Sequence, residues 1–154
     1  NLLKSFSGAG ITNKVLALFD NDTAAFSAVD SLRAMQLPDN IRILHYPDIE
    51  MAENYPSIGP NGTYLQNING SACSIELYFG EDVLKENGTF TPVQWKNLDN
   101  RINKYHGAIK NKDKLKEKFM QKLHRCQESH SVINPNEWKD IDLLLNCIFS
   151  ATHV

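Results

Sequence analysis

The run VLALF, Val15 to Phe19, followed at once by DNDTAA, constrains this chain more than any other stretch. Five consecutive apolar residues between polar neighbours have the length of a strand and suit one buried on both faces of a parallel sheet. In DNDTAAFSAVDSLRAM, Thr23 is a plausible N-cap, and Ala25, Phe26, Val29, Leu32 and Arg33 recur at helical spacing. Pro38 stops that helix, Asp39 and Asn40 form a turn, and IRILHY (41–46) reads as the next strand, with Ile41, Ile43 and His45 on one side. Strand, helix and strand with short connections predict a right-handed βαβ unit.

Outside that unit the signals are coarser. Residues 2–11 read as a short amphipathic helix with a loose end at Gly8 and Gly10. Residues 47–72, rich in Pro, Gly and Asn, predict mostly loop, with room for a short hairpin around Asn69-Gly70. SIELYFGEDVL fits a strand or a helix start. From Pro92 onward the pattern is helical: Trp95, Leu98 and Ile102 share a face, and Leu115, Phe119 and Leu123 repeat at i, i+4, i+8. Trp138, Ile141, Leu144, Leu145 and Ile148 mark a last helix, with Pro135 near its start. The expectation is an α/β fold. A partial, Rossmann-like parallel sheet with flanking helices would occupy residues 1–84, and a helical part residues 85–154.

Composition bounds the class. With 154 residues, 42% hydrophobic and 22% charged, the chain is a folded domain, not a disordered, collagenous or coiled-coil one. No apolar run approaches the roughly 20 residues of a membrane span, and the first residues lack a signal-peptide layout. A start at Asn1 suggests a processed chain or a piece of a longer protein. Three cysteines, Cys73, Cys126 and Cys147, show no metal-ligand spacing. Of the sequons at Asn21, Asn61, Asn69 and Asn87, three are Asn-Gly turns. A cytoplasmic location is expected.

Charge is segregated. Residues 1–94 hold 5 Lys/Arg against 11 Asp/Glu, a balance of −6, and residues 95–130 hold 10 against 4, a balance of +6. Such a division fits a chain that binds cations with one part and polyanions with the other, although a Lys-rich helix face also arises from solvation alone. Lys104, Lys110, Lys112, Lys114, Lys116, Lys118, Lys122 and Arg125 are the candidates for contacts to DNA or RNA phosphates. With little aromatic interleaving beyond Tyr105 and Phe119, a stacking platform for single strands is not expected.

The chemistry lies in Asp20 and Asp22. They follow the buried run at the carboxyl edge where open α/β sheets place their ligands. Carboxylates two apart in extended chain face one way and repel unless a cation or proton intervenes. Mg²⁺ or Mn²⁺, bound through one or two carboxylates plus water and phosphate oxygens, suits them. Asp and Asn at strand ends also serve as turn-formers and helix caps. His45 is expected to be a satisfied core or edge histidine, and Asp48, Glu50 and Glu53 to be solvated loop residues. His106, His124, His130 and His153 show no zinc spacing.

Two families place carboxylates this way. The haloacid-dehalogenase-like phosphatases use DxDxT, but Ala24 stands here at the Thr position, and Lys85 with Glu81-Asp82 only loosely imitates their downstream groups. FDNDTAA more closely resembles the strand–DxDxxG–helix motif of the Toprim domain, with Ala25 in place of the glycine. The segments IRILHYPDIEMAENYPSIGPNG, CSIELYFG and RINKYHGAIKNKDKLKEKFMQKL resemble the carboxyl-terminal half of bacterial HEPN/Toprim-associated proteins, related to the overcoming-lysogenization-defect nucleases. This likeness runs from about Lys14 to the end. It implies a Mg²⁺-dependent nuclease site in which Asp20 and Asp22 hold the ion. Glu76, with Ser74 near it, is the candidate ligand for a second ion; Glu76 also reads as a helix-start carboxylate.

The family further uses a glutamate on an earlier strand, and residues 1–19 contain no Asp or Glu. The expectation is therefore that this piece binds metal weakly and cleaves little or nothing alone, no catalytic residue being assigned in it. A role in phage defence or as a toxin follows only from the likeness. The alternatives are a non-catalytic interaction domain, binding a partner or a second copy of itself, and a phosphatase.

Overall fold

A computed structural model describes residues 13–32, 37–128 and 133–152, together with Ser5 and Ala9. The helix expected over 2–11, Arg33, His130 and His153 lie outside the described residues. Strand β1 (Val15–Phe19) runs into the two-residue β2 (Asn21–Asp22) and helix α1 (Thr23–Leu32). Strand β3 (Ile41–His45) then pairs parallel with β1, from Val15↔Ile41 to Phe19↔His45. The strand–helix–strand unit is therefore present. Its sheet is thinner than the apolar run suggested: among the described residues β1 pairs only with β3, and Leu18 is 38% exposed. Buried on both faces it is not.

The segment read as loop contains a hairpin, β4 (Tyr55–Gly59) and β5 (Gly62–Gln66), closed over Pro60-Asn61 with Gly62 at φ +108°. Asn69-Gly70 turns the chain instead into β6 (Ala72–Cys73), which pairs antiparallel with β2. A 3₁₀ turn (Ile75–Tyr78) and the single-turn helix α2 (Glu81–Leu84) follow. Asn87-Gly88, at φ +50° and +78°, then closes the short hairpin of β7 (Lys85–Glu86) and β8 (Thr89–Phe90). Two positive φ values in an Asn-Gly pair are what a type I′ turn requires.

The helical expectation from Pro92 fails over its first part. Residues 93–109 are two strands, β9 (Val93–Asp99) and β10 (Lys104–Ile109), paired antiparallel with a bulge between Tyr105 and Gly107. Trp95 and Leu98 both lie on β9 and Ile102 in the turn that follows it, which ends at Asn103 with φ +51°, so their helical spacing is coincidental; Val93 and Trp95 alternate as strand residues do. The sheet order is β10-β9-β4-β5, with β9 parallel to β4 at Ser57 and Ile58, leaving Pro56 outside that ladder. One sheet thus joins strands from both sides of the residue-84 division.

Helices α3 (Lys112–Glu128) and α4 (Pro135–Thr152) complete the chain. The core lies between them, the 3₁₀ turn and the four-stranded sheet, and holds Ile49, Tyr55, Leu77, Tyr78, Val93 and Leu115. Its two buried phenols are satisfied: Tyr55 donates to the Thr91 carbonyl at 2.9 Å and Tyr78 to that of Pro47 at 2.7 Å. Leu145, expected in the α4 stripe, is 43% exposed, whereas Leu144 is buried. Among the described residues no helix is long and apolar enough to cross a membrane.

Candidate functional site

Asp20 sits between β1 and β2, at the carboxyl ends of the parallel pair. Its carboxyl is held above the usual aspartate range, first by burial, then by the charges of Asp22 and Glu76, against the opposing pull of Lys112. The Tyr46 hydroxyl hydrogen-bonds to it from just beyond β3, and burial first, then the Asp20 charge, pushes the Tyr46 phenol up as well. Its backbone oxygen lies 3.2 Å from His45 Nδ1, and the His45 ring stacks on Phe26 at 4.2 Å. His45 is a packed, partnered histidine.

Glu76 comes from the 3₁₀ turn and is nearly buried, its side chain 3% exposed. Burial opposes its ionisation, yet hydrogen bonds from Ser74 and Lys112 hold its carboxyl below the ordinary glutamate range. Ser74 Oγ donates to Glu76 Oε2 at 2.6 Å, Lys112 Nζ reaches Ser74 Oγ at 2.9 Å and Glu76 Oε2 at 3.0 Å, and Lys116 stands 3.5 Å from Oε1. The sequence thus named three acids that the fold brings to one mouth. It named Lys112 as well, but as one phosphate contact among many. Lys112 opens α3 directly over the acids, and nothing within a run of alternating lysines marks it out.

Asp22 has a second task. It is the N-cap of α1, accepting from the Ala25 N–H at 2.8 Å, a role expected of Thr23. The buried Thr23 hydroxyl instead donates to the Tyr105 carbonyl at 2.7 Å and fastens α1 to β10. Asn21 donates to exposed Asp48 at 2.7 Å.

A hard divalent cation fits the chemistry of this mouth. The donors are carboxylate oxygens, and burial, then the Asp22 and Glu76 charges, disfavours the ionised Asp20 that such an ion would favour. Among the described residues, no group of three or more His, Cys, Asp or Glu stands as a ready-made cage. One Asp22 oxygen is committed to the cap, and Glu76 to Ser74 and Lys112.

The other basic candidates are largely engaged within the chain. Lys104 donates to the Gly70 carbonyl at 3.1 Å, Lys114 grips Glu86 at 2.7 and 2.8 Å, and Lys118 reaches the Lys85 carbonyl at 3.2 Å. Lys110 is exposed between β10 and α3, and Arg125 is also engaged. Lys122 is 3% exposed and has no access to a phosphate, which removes it from any nucleic-acid face. The groups a phosphatase would need are occupied too: Lys85 pairs with Glu81, and Asp82 with Lys122.

No family model matches the chain, and no curated protein or solved structure matches it either.

Proposed function

We infer that the mouth formed by Asp20, Asp22, Glu76 and Lys112 is a Mg²⁺- or Mn²⁺-dependent phosphoryl-transfer site of Toprim type, acting on nucleic acid. One observation carries the reading: Asp20 at the carboxyl ends of a parallel strand pair feels the charges of Asp22, Glu76 and Lys112, and Lys112 itself stands 3.0 Å from Glu76. Asp20 and Asp22 would hold the ion, with Glu76 the candidate for a second. A bound divalent ion supplies a Lewis acid that polarises a phosphodiester and lowers the pKa of an attacking water. Tyr46 orients the Asp20 carboxylate through its hydroxyl. Lys112 offers an ammonium that can pass from Glu76 to a non-bridging phosphate oxygen as charge develops there. Ser74 keeps Glu76 ionised when that lysine turns away.

A second reading, a non-catalytic interaction domain, is favoured by Asp22 serving as a helix cap and Glu76 being already neutralised. A thermal melt with Mg²⁺ or Mn²⁺ titrated in separates the two, since a ligand that binds only the native state raises its melting temperature. The expected result is a rise that Asp20→Ala and Asp22→Ala both lose. No rise, with Asp20→Ala at least as stable as the parent, favours the interaction domain. Residues 1–19 supply no Asp or Glu, so cation binding, ahead of turnover, is the readout.

A further inference from the structure

The four-stranded sheet carries an open groove of about 650 Å³, inside the range of roughly 300–1,000 Å³ usual for ligand sites. Three aromatic side chains line it, Tyr64 from β5, Trp95 from β9 and Tyr105 from β10, with Lys96 and Lys104 and the amide of Gln94 beside them. Tyr64 and Tyr105 are 39% and 56% exposed. Among the described residues no carboxylate lines the groove, in a chain whose net charge is −2.

Two glycines shape it. A Cβ on Gly107 would stand 2.8 Å from the Trp95 ring, and one on Gly59 would run into the Tyr64 hydroxyl. Indole and phenol occupy their places only because both positions lack a side chain. The Trp95 Nε1 donor is buried without an acceptor among the described residues.

We propose that this groove takes the bases of a single-stranded nucleic acid. Tyr64 and Tyr105 supply stacking faces, as aromatic platforms do for single strands regardless of sequence. Lys96, exposed and with no carboxylate partner among the described residues, meets the phosphates. A duplex keeps its bases stacked on one another and has no free face to offer these rings. The groove also adjoins the acidic mouth: Ser71, on its wall, accepts from the Thr23 N–H at 3.2 Å and bridges to Asp22. The proposal stands on the groove's own side chains and does not depend on phosphoryl transfer at Asp20.

The test is fluorescence anisotropy of the whole chain with labelled ten-nucleotide oligo-dT, oligo-U and a blunt duplex of equal length. EDTA is present throughout, so that no metal site takes part. Single strands are expected to bind at least tenfold more tightly than the duplex. Tyr64→Ala and Tyr105→Ala together should weaken them tenfold or more, and Lys96→Gln should lower the salt slope by roughly 0.7. Because EDTA removes any divalent ion, failure of this proposal stays distinct from failure of the metal site. The proposal is overturned if no single strand binds at low salt, if the double tyrosine variant binds as tightly as the parent, or if the duplex binds equally well.

Discussion

Lys112 decides how the strand-end mouth is charged. Glu76 is buried at 3% side-chain exposure, so its ionisation rests on Ser74 and on the ammonium 3.0 Å away. A carboxyl whose pKa is depressed by folding contributes stability that is present above its unfolded pKa and is lost as pH falls through the folded one. Lys112→Gln should therefore cost about 1–2 kcal/mol at neutral pH, a figure discounted for the 38% exposure of the lysine. The difference from the parent should shrink in acid, where Glu76 is protonated in both proteins. Urea melts at neutral and acid pH check this, and Glu76→Gln in the Lys112→Gln background should recover part of the loss. The acids were legible in the sequence because a strand end fixes where Asp20 and Asp22 stand. Lys112 was not, because its neighbours 114, 116 and 118 are lysines as well and only the fold sets it apart.

Among the elements, the β9–β10 hairpin is where sequence pattern and fold part company. Trp95, Leu98 and Ile102 satisfy the helical period by coincidence, and Gly107, which a helix would disfavour, marks instead the close approach of Trp95 across the pair. A methyl group at Gly107 would stand 2.7 Å from the Ala72 Cβ as well as 2.8 Å from the indole. Gly107→Ala should thus destabilise by about 1–3 kcal/mol through overpacking, and a melt of that single variant measures it. The two turns that organise neighbouring strands were half-readable. Asn87-Gly88 closes a hairpin as its dipeptide predicts, whereas Asn69-Gly70, the same dipeptide, delivers β6 to β2 because its strand partner lies far back in the chain. The order of the βαβ unit was legible, since an apolar run and a helical period agree there, but the exposure of β1 and the capping by Asp22 were not.

Across the whole molecule, a buried lysine ties the helices to the turn region. Lys122 donates to the Phe79 carbonyl at 2.9 Å, the Glu137 carbonyl at 2.7 Å and Asp82 at 2.8 Å, and lies over the Trp138 ring at 4.4 Å. It joins α3 to α2 and to the start of α4. Removing it strands two carbonyls and a carboxylate, so Lys122→Met should cost about 3–5 kcal/mol and lower the melting temperature accordingly. No periodicity exposes such a residue, because a lysine on a charged helix reads as solvated until its neighbours are in place.

At the same molecule-wide scale, β1, the 3₁₀ turn and α3 bring Asp20, Glu76 and Lys112 within electrostatic reach of one another, and the proposed function has a divalent cation complete that acidic mouth. Its most direct test is a carbon-detected NMR titration of the Asp20 carboxyl, without and with Mg²⁺. Without metal, Asp20 should titrate above the ordinary aspartate range, because burial and the Asp22 and Glu76 charges disfavour its ionised form. With Mg²⁺ the midpoint should fall, the ion favouring the carboxylate. A midpoint in the ordinary range that Mg²⁺ leaves unmoved would contradict the account.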